Sequence, residues 1–241
     1  MDSVPLPDSK INQGQRAVLP KSFDGVVQLD DGTFSSMFSD IIREKQNRKG
    51  YEMTEFSDLL RKRRSIRDFE NRDVPLDVVK EIIGESCLAP SSGNGQPWQF
   101  IIVRNREVIK RLSDESKRCL LADMEKNPSS PSKNYEAVLR DPDFNIFYNA
   151  PCLVYVIGQK EIRSLHVDCA LLACYFMFSA LERGLGTCWI GLGRFMEDPE
   201  LLTLTGMPDG FQIIAPIIVG YPRSFPDPSE RMKPQILKIV S

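Results

Sequence analysis

The first 52 residues scatter their apolar positions among polar and turn residues. Only 34–48, with Met37, Ile41 and Ile42 on one face, has helical spacing. From Thr54 the pattern sharpens. Phe56, Leu59 and Leu60 predict a helix ending near Arg63. Pro75 at a helix start, followed by Val78, Val79, Ile82 and Ile83, predicts a second helix running to about Cys87. A short apolar run at 100–103, just after Pro97, reads as a strand, and 108–124 as a helix. Residues 127–134 (Asn-Pro-Ser-Ser-Pro-Ser-Lys-Asn) form a breaker-rich loop. Two continuous apolar runs, 152–157 after Ala150-Pro151 and 211–219, predict strands buried on both faces. Between them lie a long helix at 166–183, apolar nearly all round and closed by Gly184, a short strand at 188–190 and a short helix at 199–204. An extended segment, 234–240, ends the chain.

Helices and strands intermix with no internal repeat, which gives an α+β or α/β class with one sheet covered by helices. Residues 1–52 read either as an arm that wraps a body or partner, or as a tail. Residues 53–241 read as the folded domain. The 166–183 helix has no polar face to give to water. Burial in a dimer interface accounts for it, and so does a central position within one subunit.

Composition narrows the function classes. A length of 241 residues, at about 150 per domain, means one large domain with an extension. With 41% apolar and 27% charged residues, wholesale disorder is excluded. A net charge of -2 and a pI near 5.6 give no support for nucleic acid or an anionic membrane as partner. The strongly apolar stretch 169–181 is shorter than the about 20 residues of a membrane span. The start, Met1-Asp2-Ser3-Val4-Pro5, has neither a basic nor an apolar run of a signal peptide, so the expected location is cytoplasmic. The six cysteines (87, 119, 152, 169, 174 and 188) form no Cys-x-x-Cys pair and read as small buried hydrophobes. His166 is the single histidine, and no Gly-x-Ser-x-Gly elbow accompanies it, so it reads as structural. No metal site is expected.

Two stretches carry candidate chemistry. Arg61-Lys62-Arg63-Arg64-Ser65-Ile66-Arg67 is the densest charge cluster; guanidinium forks and a hydroxyl suit phosphate oxygens, while a solvated helix end has the same composition. Pro90-Ser91-Ser92-Gly93-Asn94-Gly95-Gln96-Pro97-Trp98 is a turn dense in amide and hydroxyl groups. It suits the amide edge of a planar heterocycle, and an ordinary helix-to-strand loop equally.

Taken together, Arg-Arg-Ser-x-Arg-x-Phe and the later Ala-Pro-Ser-Ser-x-Asn-x-Gln-Pro-Trp resemble the nitroreductase family of flavoenzymes. Asn149-Ala150-Pro151, Asp168-Cys169-Ala170, Gly184-Leu185-Gly186-Thr187-Cys188-Trp189-Ile190-Gly191 and Val219-Gly220-Tyr221-Pro222 follow in family order. The resemblance covers the chain from Thr54 onward and leaves out 1–52. Some relatives carry a cysteine-rich ferredoxin module there; this arm has no cysteine, so no iron–sulfur centre is expected.

The resemblance implies an α+β fold with a mostly antiparallel central sheet flanked by helices, and an intertwined homodimer with two FMN molecules at its interface. On the family's pattern Arg63, Arg64, Ser65 and Arg67 bind one FMN. One arginine holds the phosphate, and Arg67 lies near the pyrimidine edge, where positive charge favours the reduced anion. Pro90, Ser91, Ser92 and Asn94 approach from the partner chain. Ile190, Gly191, Leu192 and Gly193 pass near the N5 edge, and Arg231 and Lys233 complete the phosphate site. NAD(P)H would be the donor and a small molecule, a nitroaromatic or quinone, the acceptor, in a ping-pong reaction that needs no catalytic side chain. The residues 119–148 would form the lid over the substrate. Relatives of the same fold dehalogenate aromatic substrates or degrade the flavin, and a non-catalytic flavin-binding or interaction protein is the alternative from another class.

Overall fold

The structure is a computed structural model that describes residues 56–240, so the arm at 1–52 and the helix expected at 34–48 lie outside the described residues. The two continuous apolar runs become the central strands β2 (Cys152–Gln159) and β4 (Phe211–Gly220). They pair antiparallel from Cys152 opposite Val219 to Gln159 opposite Phe211. β1 (Gln99–Val103) joins the free edge of β2 and β3 (Gly186–Trp189) that of β4, giving the order β1-β2-β4-β3, antiparallel throughout.

Both faces of the central strands are covered, which is why their sequences do not alternate with polar residues. Cys152, Val154 and Val156 enter one core, and Leu153, Tyr155 and Ile157 the other. A register shift opposite Val156 and Ile157 pairs them with Ala215 and Ile213, which leaves Ile214 as an extra residue in β4. Pro216 turns its carbonyl to the β3 edge, where it accepts from the Ile190 N–H at 2.8 Å. It brings no N–H to that edge, and β3 stops there.

The first core is roofed by α2 (Leu76–Ser86) and α5 (Leu165–Glu182) through Val79, Ile82, Leu172 and Phe176. The second is closed by α3 (Arg106–Lys126) through Ile109 and Leu112, by Leu201 of α6 (Pro199–Thr205), and by Ile66, Phe69 and Phe147 from irregular segments. α5 ends as its sequence predicts. Gly184, at φ +73°, lets the Leu185 N–H reach the Ala180 carbonyl (2.9 Å) and the Gly184 N–H the Leu181 carbonyl (2.9 Å), turning the chain directly into β3. One flank of α5 packs on the sheet, while Val167, Leu171 and Tyr175 stay exposed on the other. By length and composition alone this 18-residue helix is apolar enough for a membrane span, but Cys169, Leu172 and Phe176 on its packed flank belong to the core of this fold.

The stretch expected as a lid is more ordered than its breakers imply. Residues 119–126 continue α3, and Leu120 and Met124 pack with Leu139 of α4 (Glu136–Arg140) in a small core of their own. Between the helices, Ser130 donates its hydroxyl to Asp123 at 2.8 Å. A helix α1 (Phe56–Lys62) precedes all of these, its Phe56 ring edge-on to Phe178 of α5 at 5.6 Å. The 234–240 segment is exposed and outside any strand.

Candidate functional site

The arginine cluster leaves α1 as an extended segment beside β3. Ser65 bridges Thr187, the Ile66 N–H donates to the Thr187 carbonyl at 2.9 Å, and the Glu70 N–H to the Tyr221 carbonyl at 2.8 Å. Ile66 and Phe69 are buried by this docking. Gly186 permits it: a Cβ there would stand 2.7–2.9 Å from the Ile66 side chain. With Ile66 turned inward, its neighbours Ser65 and Arg67 face the opposite side.

Cys188 of β3, next to the bridged Thr187, is buried in the same core as Ile66. Burial pushes the Cys188 thiol up, while the Arg67 charge, a hydrogen bond with Ser65 and the Arg63 charge pull it down. Three of the expected residues thus lie near enough to the β3 edge to act on Cys188, on a segment docked there by the Ser65–Thr187 bridge. Arg64 differs. It folds back on the end of α1, donating to the carbonyls of Arg61 (2.6 Å) and Arg63 (2.7 Å), and its buried Nε has no hydrogen-bond partner.

One step along β3 the chain turns out of the sheet through Gly191–Arg194, closed by the Gly193 N–H donating to the Ile190 carbonyl at 3.0 Å. Gly193 rests on the Phe147 ring, which occupies the room a Cβ would need. Nothing lies within 4 Å of the corresponding position at Gly191, so its backbone faces open space. Leu192 packs against the α3–α4 core. The geometry therefore joins Arg63, Ser65 and Arg67 to Ile190, Gly191, Leu192 and Gly193 through β3.

The Ser/Asn turn is built separately. Gly93, Asn94 and Gln96 all have positive φ (57°, 54° and 43°), and the Gln96 N–H donates to Ser91 Oγ at 3.0 Å. The Ser92 N–H donates to Asp168 Oδ1 at 3.0 Å, which ties the turn to the first turn of α5. Asp168 is 3% exposed, and its Oδ2 has no partner. Pro90, Ser92 and Asn94 are exposed and Ser91 half-buried. Among the described residues, no hydrogen bond or ion pair connects them to the arginine cluster. Arg231 and Lys233 lie on the exposed tail beyond β4, without hydrogen bonds or ion pairs to other described residues.

Sequence reasoning missed the bond from Ser92 to Asp168 and the placement of Phe147 under Gly193 and of Tyr148 near Arg67. Asp168 stood in a family-like stretch, but its partner is 76 residues away. Tyr148 and Asn149 both adopt positive φ (53° and 52°) just before Ala150-Pro151, and the Arg67 guanidinium lies 5.7 Å from the Tyr148 ring centroid. His166 is exposed on α5, where it lines a cavity of about 640 Å³ with Lys160, Arg194, Phe195 and Met207. None of the expected cofactor residues lines it; Arg194 directly follows Gly193. All six cysteines are free. Burial pushes Cys87 up to about 11, against a hydrogen bond with Trp98, and Cys119, Cys152 and Cys169 to about 12. Such thiols are not poised as nucleophiles.

These features can be set beside known proteins. "Putative NADH dehydrogenase/NAD(P)H nitroreductase" of Archaeoglobus fulgidus is 28% identical over 176 residues, 73% of this chain and 90% of its own length. Iodotyrosine deiodinase 1 of Homo sapiens is 25% identical over 210 residues, 77% of this chain and 68% of its own. The crystal structure of a nitroreductase with bound FMN from Bacteroides fragilis matches 78% of this chain and 100% of its own, with a TM-score of 0.66 and 24% identity. The sequence profile of the nitroreductase family matches residues 60–221. That match takes in the arginine segment, the Ser/Asn turn, all four strands and the turn after β3, and by it this chain belongs to the nitroreductase family.

Proposed function

We propose that the protein is an FMN-dependent NAD(P)H oxidoreductase, a homodimer that reduces nitroaromatics, quinones or similar small acceptors by a ping-pong mechanism. The observation that carries the reading is the docking of the arginine segment on β3, by the Ser65–Thr187 bridge and the Ile66 N–H to the Thr187 carbonyl, next to the open backbone of Gly191. The residues present fit FMN. The buried Arg64 Nε is a donor without an acceptor, and the space at Gly191 is free for a planar ring. When bound, FMN supplies the two-electron chemistry between donor and acceptor.

The chain's own residues bind and bias. Arg63 and Arg64 hold phosphate oxygens by charge-assisted hydrogen bonds, with Arg231 and Lys233 completing that shell. Ser65 and Arg67 address the pyrimidine edge, where a fixed positive charge favours added electron density. Ile190, Gly191, Leu192 and Gly193 offer backbone close to the ring. Pro90, Ser91, Ser92 and Asn94 come from the partner chain. Two features support that last assignment: the turn has no polar link to the arginine cluster of its own chain, and α5, on which the turn is anchored, exposes an apolar flank.

A second reading, reductive dehalogenation of an aromatic substrate, is favoured by the likeness to iodotyrosine deiodinase 1 over 77% of the chain. One set of assays separates the readings. The purified protein should show a flavin spectrum and release FMN on denaturation. NADH or NADPH should be consumed on addition of a quinone or nitroarene. Consumption dependent on 3-iodotyrosine, with iodide release and no turnover of quinone or nitroarene, would replace the first reading by the second. Bound FMN with no turnover of either would make the protein a flavin-binding module.

A further inference from the structure

We infer that Tyr148 is a positioning residue of this site, which holds the Arg67 guanidinium in place through a backbone conformation that aromatic residues seldom adopt. The inference rests on the FMN reading above. Tyr148 and Asn149 are consecutive residues in the left-handed region, at φ 53° and 52°. Bulky residues avoid that region unless surrounding structure over-determines it, and such residues gather at functional sites.

Here the over-determination is visible. The Asn145 side chain accepts from the Phe147 N–H (2.8 Å) and donates to Asn149 Oδ1 (3.1 Å), and the Asn145 carbonyl accepts from the Tyr148 N–H (2.8 Å). Upstream, the buried Lys117 donates to the carbonyls of Asp141 (2.6 Å) and Phe144 (2.9 Å), and Ser113 Oγ accepts from the Ile146 N–H at 2.9 Å. The result is a divergence of two adjacent side chains. Phe147 goes inward and supports Gly193; Tyr148 turns toward Arg67, with Phe144 edge-on behind it at 5.7 Å.

Arg67 needs such a support. Its hydrogen bond, to the Ser65 carbonyl, is long at 3.5 Å, and among the described residues no carboxylate pairs with it. An exposed guanidinium on a flexible stem samples many rotamers, and an aromatic face within about 6 Å restricts it by cation–π attraction.

The test compares Tyr148→Phe, which keeps the ring, with Tyr148→Asn and Tyr148→Gly, which tolerate the left-handed backbone but remove it. Each is made in the parent and in Arg67→Met. FMN dissociation on dilution and the midpoint potential of the bound flavin are measured. Tyr148→Asn should weaken FMN binding about two- to fivefold and shift the potential negative, in the direction of Arg67→Met. Tyr148→Phe should match the parent, and Tyr148→Asn should add nothing in the Arg67→Met background. If Asn fails to fold, Gly carries the same expectation. Arg67→Met effects without any Tyr148→Asn effect, or equal Tyr148→Asn losses in both backgrounds, would overturn the inference and leave the FMN reading standing. An Arg67→Met protein with unchanged affinity and potential would overturn the role of Arg67 and the inference with it.

Discussion

At the scale of single residues, the site depends on side chains whose neighbours leave them capacity to spare. Arg64 spends its Nη1 on two carbonyls at the end of α1 and keeps an unused Nε. If it and Arg63 hold the FMN phosphate, Arg63→Ala with Arg64→Ala removes charge-assisted bonds of about 1.5–3 kcal/mol each. FMN affinity, measured by fluorescence titration, should then fall at least about tenfold; a double variant that binds as tightly as the parent refutes the phosphate assignment. Asp168 is the complementary case. Its carboxylate anchors Ser92 by one oxygen and buries the other without a partner. Asp168→Ala loses the bond but also relieves the uncompensated burial, so the two effects oppose. The expected result is a small change in Tm together with faster hydrogen exchange at the Ser92 amide. Unchanged exchange would show that the turn holds its shape without α5.

At the scale of elements, α3 ties the second core to the segment that leaves the candidate site. Glu115 Oε1 accepts from the N–H groups of Glu197 and Asp198, both at 2.9 Å, and Ser116 donates to the Phe195 carbonyl at 2.6 Å. The Arg118 guanidinium, which bonds the same carboxylate at 2.7 and 2.9 Å, holds Glu115 down at about 2, helped by the Glu197 and Asp198 N–H groups and Cys119 against the effect of burial. The folded value lies below the ordinary 4.5, so the linked stability is complete above about 4.5 and is lost as the pH falls from there through 2. Urea titrations at descending pH should show the midpoint dropping across that window. In Glu115→Gln the drop should shrink, from a lower starting stability at neutral pH.

At the scale of the whole molecule, α5 has more apolar surface than one chain covers. Val167, Leu171 and Tyr175 are exposed on the flank opposite the sheet, at 64%, 39% and 43%. An obligate partner surface of more than about 2,000 Å² would hide such a flank, and the FMN reading needs a second chain to bring Ser91, Ser92 and Asn94 over the arginines. Sedimentation should therefore find two chains. Leu171→Glu places a charge on that flank without disturbing the sheet core, and should shift the protein toward monomer and release FMN in step. A Leu171→Glu protein that stays dimeric places the interface elsewhere; a monomer that keeps its flavin refutes the shared site.

Periodicity alone located β2, β4, α2, α3 and α5 within a few residues, because buried strands and amphipathic or apolar helices write their environment into every position. The family resemblance singled out Arg63, Ser65, Arg67 and the turn at Gly191 as expected flavin contacts, and the structure sets the two segments at the start and end of the same short strand, β3. What lay beyond the sequence is whatever depends on distant segments meeting. That the 63–70 segment docks beside β3 is set by the room at Gly186 for Ile66, and that Ser92 is held by Asp168 is set by a helix far along the chain. The left-handed backbone of Tyr148 has no local sequence signal, since an aromatic residue there is locally unfavourable. Only the bonds from Asn145 and the packing of the loop on α3 overrule that preference, and those exist only once the chain has folded.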